Sequence, residues 1–364
     1  MKIMVATLGL SPDDERLYHL EIKSLLSAGY EVILVTRGYA ERTPEDNLRH
    51  IDLGAVSFTD YNARLLKLAR LLSPDALQVH EFQILVAAAK IKRRLQIPLI
   101  YDVQDANVEM WATFSSRPPW QAKLIITGLN MFEKWFARTV DWISASSRHN
   151  ANRYTDWGLR ASSIDNYPHR VPCDTMSERE PVVMYHGQLA TERGLVVLLK
   201  SFVLVHQQVP EAKLEILGTM RTSKMRIEIE AAINYIGLRD HIALHPPIPY
   251  LDLLDRLQKV QVGVIPFLDH PLFRVAPPNK LFEYFHAGCA VASSDLPLLR
   301  SLGRDAALYS PPSDIEALAE NLIELLKNPS LCRKMGDRGH AIADAEYAWE
   351  LVEQNYLDIY RRLL

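Results

Sequence analysis

Short apolar runs alternate with helical patterns from the first residues of this chain. Lys2 to Leu8 is a largely apolar run typical of a buried strand, Leu17 to Ala28 has helical spacing and stops before Gly29, and Tyr30 to Thr36 is a second apolar run. This order predicts a right-handed βαβ unit with parallel strands. Ligands bind such sheets at the carboxyl ends of the strands, so the loop that holds Gly9 is a candidate ligand-binding loop.

The same alternation continues to the end of the chain, apart from a span before Asp60 that has no clear period. With 364 residues, of which 48% are hydrophobic, the chain is long enough for two domains with separate cores. The predicted fold class is therefore α/β, with two parallel sheets. Further strands are predicted at Ala76–Val79, Pro98–Tyr101, Val182–Tyr185, Lys213–Leu217, Cys289–Ala292 and Ala307–Tyr309, and helices at Asn62–Leu72, Ile84–Leu95, Leu195–Gln208, Asp314–Lys327, Pro329–Ala345 and Trp349–Leu364.

A polar stretch near the middle of the chain predicts a domain boundary. Residues 169–180 lack periodicity and lie between Pro168 and Pro181, which is typical of a linker. We therefore predict an N-terminal domain over residues 1–168 and a C-terminal domain over residues 181–349, joined by this linker.

Charge and cysteine content exclude several classes of protein. The formal net charge is −3, whereas nucleic-acid-binding proteins usually have a basic excess, so nucleic acid is not an expected partner. Three widely spaced cysteines without a CxxC pair predict neither a disulfide framework nor a zinc site and favour a reducing cytoplasm. We see no signal peptide and no apolar run of the roughly 18 residues that a membrane span needs, so we expect a cytoplasmic protein.

The stretch 277–295, PPNKLFEYFHAGCAVASSD, is the richest in candidate chemistry. Its prolines fit the first turn of a helix, Gly288 fits its end, and a buried strand follows. Glu283 falls outside the apolar arc that Leu281 shares with two phenylalanines, so its carboxylate faces water or a ligand. A carboxylate there can accept hydrogen bonds from both hydroxyls of a ribose, while the free N–H groups at the start of the helix attract phosphates. An exposed glutamate without a role is the alternative.

A second candidate is the segment HGQLATERG, which follows the strand Val182–Tyr185. Gly187 and Gly194 allow a ligand to approach the backbone closely. Arg193 places a fixed positive charge beside the positive end of the next helix dipole, which suits a diphosphate. The alternative is an ordinary exposed arginine at a helix start.

The two segments together resemble glycosyltransferase family 4, whose members are retaining sugar-nucleotide transferases of the two-domain GT-B fold. PPNKLFEYFHAG resembles the family's P-N/S-K-L-F-E-Y segment, and HGQLATERG its G-R-L-x-x-x-K-G loop. The resemblance implies two Rossmann-like domains that face each other across a cleft, with the last helix, residues 350–364, packed back on the first. It implies that Glu283 holds the donor ribose and that Arg193 binds the diphosphate. The other residues that we predict to bind the donor are Gly9, Gly187, Gln188, Gly218, His245, Ile248, Pro278, Asn279, Lys280 and Leu281.

The chain departs from the family pattern at three places. Val275 stands where the family often has the first glutamate of E-x7-E, Gln104 where it has a histidine, and Gln188 where it has an arginine. The last change removes one of two cations that neutralise the leaving diphosphate, and Arg274 or Lys280 would then have to replace it.

Polar residues at the ends of two predicted strands form the acceptor side. The segments VHEFQIL and IYDVQDANVEM resemble family segments whose polar residues face the donor sugar and the acceptor. We therefore predict His80, Gln104 and Asp105 as catalytic residues together with Arg193, with Glu109 as a further acidic group nearby. A histidine held for structural reasons is the alternative for His80.

An aromatic and basic segment covers residues 117–139. It includes Trp120, Leu124 and Trp135, together with two lysines and Arg138. Two interpretations are open: a helix that lies in a lipid headgroup layer, or a core helix with two snorkelling lysines. With a lipid-linked acceptor, this segment is the predicted site of peripheral membrane contact.

We thus predict a retaining glycosyltransferase that moves a sugar from a UDP- or GDP-linked donor to a hydroxyl of an acceptor, in envelope polysaccharide, glycolipid or natural-product glycoside synthesis. A sugar-nucleotide 2-epimerase and a catalytically silent sugar-nucleotide-binding protein are the alternatives. The sequence has no D-x-D pair, and Asp13-Asp14 has the wrong spacing for one, so neither a metal nor another cofactor is expected. The oligomeric state is left open.

Overall fold

The computed structural model describes residues 1–40, 42–43, 45–104, 118–173, 178–220 and 223–364. The chain divides into two compact units. Unit 1 comprises Met1–Asn166 and Trp349–Leu364, and unit 2 comprises Tyr167–Ala348.

Unit 1 is built on a parallel sheet with the strand order β3-β2-β1-β4-β5-β6-β7. The order changes direction between β1 and β4, which pair side by side although they are far apart in sequence. Loops after these two strands therefore open at the same edge, where parallel sheets bind ligands. The strands are β1 Lys2–Ala6, β2 Glu31–Thr36, β3 Leu48–Asp52, β4 Ala76–Val79, β5 Leu99–Val103, β6 Trp142–Ala145 and β7 Ala161–Ser163.

Helices cover both faces of this sheet. The first begins as a π-helical segment, Glu15–Ile22, in which the Asp14 side chain accepts a hydrogen bond from Leu17 N. The helices are α1 Lys23–Ser27, which continues that segment, α2 Phe58–Leu72, α3 Leu85–Leu95, α4 Pro119–Ala137 and α5 Arg148–Thr155.

Unit 2 repeats this plan with the strand order β10-β9-β8-β11-β12-β13. Here the order changes direction between β8 and β11, which are parallel neighbours. Its strands are β8 Glu180–His186, β9 Lys213–Leu217, β10 Ile242–His245, β11 Val260–Ile265, β12 Ala290–Ser294 and β13 Ala307–Ser310. Its helices are α6 Leu195–Gln208, α7 Ser223–Ile236, α8 Tyr250–Leu257, α9 Asn279–His286, α10 Pro297–Gly303, α11 Ile315–Lys327 and α12 Pro329–Glu346.

The last helix, α13 Trp349–Leu363, belongs to unit 1 although it follows unit 2 in sequence. Trp349 is fully buried and donates from Nε1 to Ser24 Oγ at 2.9 Å. Tyr356, also fully buried, donates to Gln78 Oε1 at 3.0 Å. These contacts make α13 part of the core of unit 1.

The predicted α/β class with two parallel sheets is confirmed. The strand β3 was missed, because it lies at the edge of its sheet and its residues Arg49, His50 and Asp52 give it no apolar period. The helix α2 also begins earlier than predicted, since Ser57 caps it by accepting a hydrogen bond from Asp60 N.

Candidate active site

The first polar cluster lies in unit 2, where the strand order changes direction. The loop after β8 and the start of α9 meet there: Lys280 Nζ lies 3.6 Å from the position that a Cβ on Gly187 would occupy. The two segments that resemble the family signature, far apart in sequence, therefore contact each other at the carboxyl edge of the sheet.

Glu283 is buried in this cluster, with an exposed fraction of 3%. Its Oε2 lies 3.3 Å from Nε2 of His186, the last residue of β8. Burial raises the pKa of Glu283 to about 7, although the Lys280 charge opposes the rise. Burial also lowers the pKa of His186, with a further contribution from Lys280, so this imidazole is neutral. The interpretation of Glu283 as a solvated surface residue is therefore excluded.

Lys280 lies one turn before Glu283 on the same helix and is only 4% exposed. Its Nζ is 3.8 Å from the ring centroid of Tyr185, and within the described ranges it has no hydrogen-bond acceptor. Burial lowers the pKa of Lys280 well below its usual range, and the Arg193 charge adds to this. A buried ammonium without an acceptor is unfavourable, and a phosphate oxygen would supply one.

Arg193 reaches the same cluster from the loop after β8. Its Nη2 donates to Gln188 Oε1 at 3.5 Å, and its guanidinium lies 5.7 Å from the ring centroid of Phe267. Arg274, by contrast, is exposed and pairs with Asp269 at 2.8 Å. Of the two cations named as replacements for the missing arginine, Lys280 is the one that lies in this cluster.

Two glycines of this region have no room for a side chain. A Cβ on Gly194, whose φ is +77°, would lie 1.6 Å from Pro266 O. A Cβ on Gly218 would lie 1.7 Å from Gly187 O. The loops after β8, β9 and β11 are therefore packed backbone against backbone.

The other predicted donor-binding residues of unit 2 lie at the rim of this cluster or inside the core. His245 accepts a hydrogen bond from Gly218 N at 3.1 Å through its carbonyl oxygen, and both His245 and Ile248 are exposed. Pro278 and Asn279 are half-buried at the start of α9. Leu281 points into the core and is 1% exposed, so its side chain anchors the helix.

The second polar cluster lies at the corresponding point of unit 1. His80 follows β4 and is 4% exposed. Its Nδ1 lies 3.5 Å from Asp102 Oδ1 and 3.4 Å from Gln104 Nε2, and its Nε2 lies 3.0 Å from Gln78 Nε2. Burial alone would lower the pKa of His80, but Asp102 and Glu21 outweigh burial and raise the pKa to about 9. His80 is therefore a buried histidine with protein groups at both ring nitrogens.

Arg16 supplies a further buried charge to this cluster. Its Nη2 lies 2.8 Å from Asp102 Oδ2 and its Nε 2.8 Å from Glu21 Oε1. Although burial would raise the pKa of Asp102, Arg16 and His80 hold it well below its usual range. Burial, followed by the charge of Asp102, raises the pKa of Glu21 to about 8. The carboxylates of this cluster thus already have cations from the protein beside them.

Gly9 also has a protein partner. The Glu81 carboxylate accepts hydrogen bonds from Leu8 N and Gly9 N, each at 3.0 Å, and from Thr7 Oγ1 at 2.7 Å. A ligand that used the Gly9 amide would have to displace this carboxylate. Asp105 and Glu109 lie outside the described residues, so their predicted roles are not tested.

Several residues of these clusters were not predicted from the sequence. In unit 2 the missed residue is His186, whose place at the end of a predicted strand was a usable signal. In unit 1 the missed residues are Arg16, Glu21 and Gln78, whereas Glu81 and Asp102 were expected among the polar residues at the ends of two predicted strands.

Two family models match the sequence of this chain. Residues 19–168 match the family model for a glycosyl transferase 4-like domain, and residues 180–328 match the model for glycosyl transferases group 1. Together the two matches cover most of the chain.

Among curated proteins, the chain is 22% identical over 190 residues to the GDP-mannose-dependent monoacylated alpha-(1-6)-phosphatidylinositol monomannoside mannosyltransferase of Corynebacterium glutamicum. That match spans 50% of this chain and 48% of the relative, about half of each.

Solved structures resemble the chain over its whole length. Sucrose-phosphate synthase from Thermosynechococcus elongatus has a TM-score of 0.74 at 16% identity, with 99% of this chain and 98% of that chain covered. Anabaena HepE in complex with UDP-glucose has a TM-score of 0.73 at 14% identity, and the match covers 100% of both chains. At these identities the likeness shows the fold, and the predicted GT-B fold is confirmed.

Proposed function

Because this chain belongs to the glycosyltransferases of the group 1 and family 4 type, we propose that it transfers a sugar from a nucleoside diphosphate sugar to an acceptor hydroxyl, with retention of the anomeric configuration. The observation that carries the proposal is the pair Lys280 and Glu283, a cationic and an acidic side chain one turn apart on α9 and both buried. Buried ionisable groups of this kind are typical of binding sites.

Each part of the donor has a matching group. The Glu283 carboxylate accepts hydrogen bonds from the two ribose hydroxyls, and it does so best when it is ionised. Lys280 and Arg193 bind the diphosphate, which also meets the positive end of the α9 dipole. The close-packed backbone at Gly187 lets the diphosphate lie against main-chain atoms.

Catalysis in this proposal comes from positioning and from stabilisation of the departing diphosphate. Lys280 lies in a dry environment, where a preorganised charge lowers the barrier more than it would in water. The two cations of unit 2 neutralise the leaving group, so the proposed reaction uses neither a metal nor a protein nucleophile. On the acceptor side, Gln104 and Asp105 orient the hydroxyl, and the buried His80 ring lies beside the Gln104 side chain.

The names of the similar proteins support a choice of donor base and of acceptor class. Neighbouring structures contain UDP or UDP-glucose, and the curated relative is named as GDP-mannose-dependent with a phosphatidylinositol mannoside acceptor. We therefore propose a UDP- or GDP-linked hexose as the donor and a lipid-linked hydroxyl as the acceptor, used at the cytoplasmic face of a membrane.

The test has two steps. Calorimetry with UDP, GDP, UDP-glucose and GDP-mannose identifies the donor, and nucleoside diphosphate release is then measured with and without an extract of glycolipid acceptors. Acceptor-dependent release, with a product whose anomeric configuration by NMR matches that of the donor, is the expected result. Release with a 2-epimerised sugar and no acceptor would overturn the proposal in favour of an epimerase. Binding without release under either condition would favour a silent binding protein.

A further inference from the structure

The helix α4 of unit 1 carries large apolar side chains on its solvent side. Trp120, Leu124, Met131 and Trp135 have exposed fractions of 64%, 65%, 69% and 68%. At about 100° per residue these four positions fall within about 60° of one another, so they form one line along the helix. We call these four residues the outer stripe. The interpretation of this segment as a helix with its aromatic stripe packed inward is therefore wrong for Trp120, Leu124 and Trp135.

The opposite face of α4 is fixed to unit 1 by a buried carboxylate. Glu133 is 2% exposed and accepts hydrogen bonds from Tyr101 Oη at 2.9 Å and from Tyr154 Oη at 2.6 Å. Arg153 Nη2 pairs with its other oxygen at 2.7 Å. Rotating α4 to bury the outer stripe would turn Glu133 away from its partners, break all three contacts and leave the hydroxyls of the buried Tyr101 and Tyr154 without their acceptor, which is unfavourable. The stripe is therefore held toward solvent.

The surface around the outer stripe is basic. Lys123 and Lys134 flank the stripe on α4, and Arg138 follows the helix end. The acidic residues in the sequences of α2, α3 and α4 are Asp60 and Glu133, of which Glu133 is buried and Asp60 accepts a hydrogen bond from Ser57 at the start of α2. The helix α3 packs against α4 and adds the exposed cations Lys90, Arg93 and Arg94.

We propose that the outer stripe and the basic residues around it form a surface that binds an anionic lipid headgroup layer. Tryptophan side chains at both ends of an apolar line, with lysines beside it, fit the boundary between acyl chains and headgroups. Trp120 and Trp135 are about 22 Å apart along the helix axis, so the contact would be extended and parallel to the bilayer. Within the described ranges, none of the helices has the length and apolarity to cross a bilayer.

The charge of this surface argues against a second copy of the chain as its occupant. A symmetric dimer would place the stripe against itself and bring Lys123 and Lys134 close to the same cations of the partner. An anionic bilayer meets both features at once, since it accepts apolar side chains and attracts basic ones. The inference rests on the proposed function in one respect: binding to the membrane would bring the enzyme to a lipid-linked acceptor.

The experiment is vesicle co-sedimentation of the full chain with phosphatidylcholine vesicles and with phosphatidylcholine vesicles that contain phosphatidylglycerol. We expect binding to the anionic vesicles only, and a decrease with added salt. The double variant Trp120→Ser, Trp135→Ser should bind these vesicles at least about tenfold more weakly, because two interfacial side chains are lost. Lys123→Gln with Arg94→Gln should weaken anionic binding and reduce its salt dependence.

The control variant is Ile227→Ser with Tyr235→Ser, which removes two exposed apolar side chains of unit 2, 66% and 92% exposed, and should leave vesicle binding unchanged. Nucleotide affinity by calorimetry should be the same in all variants, so a failure of the membrane inference is distinguishable from a failure of the proposed transferase function. Equal binding to neutral and anionic vesicles, or no binding to either, would overturn the inference. So would a dimer of the parent chain, seen by analytical ultracentrifugation, that the tryptophan variant abolishes.

Discussion

The two units place a polar cluster at the same point of the same sheet plan, yet the two clusters differ in how their charges are balanced. In unit 1, Asp102 has Arg16 and His80 beside it. In unit 2, Lys280 is buried against the ring of Tyr185 and has no hydrogen-bond acceptor in the part of the chain that the structure describes.

The difference separates two uses of buried charge. A buried group that is paired within the protein contributes to a fixed local structure, and removing one partner leaves the other uncompensated. A buried group without a partner makes the ligand-free protein less stable and makes an oppositely charged ligand bind more tightly. We therefore expect substitutions in unit 1 to act mainly on folding, and substitutions of Lys280 or Glu283 to act mainly on donor binding.

The largest effect is expected for Asp102→Ala, which leaves Arg16 and His80 without their shared carboxylate. The free energy of unfolding should fall by about 3–5 kcal/mol, measured by urea denaturation. Asp156→Ala, at an exposed position of unit 1, is the control and should cost less than about 0.5 kcal/mol. If Asp102→Ala lowered the free energy of unfolding by less than about 1 kcal/mol, the proposed structural role of the charged cluster in unit 1 would be contradicted.

Lys280→Met tests whether the buried charge of the unit 2 cluster acts on donor binding. Affinity for the nucleoside diphosphate should fall about 100-fold, about 2.7 kcal/mol, whereas affinity for the nucleoside alone should change little. The ligand-free protein should be no less stable, since a buried ammonium without an acceptor is removed. Arg274→Met is the matched control because Arg274 pairs with Asp269, and less than about a twofold change in affinity is expected. Equal decreases in nucleoside diphosphate affinity for Lys280→Met and Arg274→Met would contradict a specific role of Lys280.

Between pH 6.5 and about 9, the pH dependence of stability should come mainly from unit 1, where the pKa values of His80 and Glu21 are raised to about 9 and about 8. Because the pKa of His80 is raised in the folded protein, its contribution to stability is complete below pH 6.5 and is lost as the pH rises to about 9. The expected decrease from His80 over this window is about 3 kcal/mol, because each pKa unit corresponds to about 1.4 kcal/mol, and it is measured by urea denaturation at several pH values. His80→Gln should flatten the profile. An unchanged profile in this variant would show that His80 is not the titrating group.

The smallest of these effects is expected for Glu283→Ala, which should weaken nucleotide binding at least tenfold, about 1.4 kcal/mol, with little loss of folding stability. Binding is measured by calorimetry, with the exposed Glu320→Ala of unit 2 as the control. Unchanged affinity in a folded Glu283→Ala variant would refute the ribose role of this residue.

Much of unit 2 could be predicted from the sequence because its signals are local. The helix around Glu283 and the loop that holds Arg193 each lie within one short segment, with prolines and glycines that mark their ends. That these segments meet depends only on the rule that parallel strands share one ligand-binding edge. Lys280 was named as a replacement cation, but its burial under Tyr185 depends on tertiary packing.

The cluster of unit 1 was less predictable because its pairs are distant in sequence. Arg16 and Asp102 are separated by 86 residues, and whether they face each other depends on strand order and on the π-helical turn that carries Arg16. Hydrophobic periodicity predicts that such an element exists, but not which polar side chain on it meets which partner. The same limit explains why Gln78, on a strand that was predicted with its correct bounds, was not recognised as a contact of His80.

The place of α13 in the fold has a consequence for biosynthesis. All residues of unit 2 have been translated before Trp349 is added, so this unit is able to fold while the chain is still attached to the ribosome. Unit 1 lacks Trp349 and Tyr356 from its core until all of unit 2 has been translated. Unit 1 therefore completes its core only after unit 2 has been translated, and a truncation that removes α13 should expose apolar surface in unit 1 to chaperones and proteases.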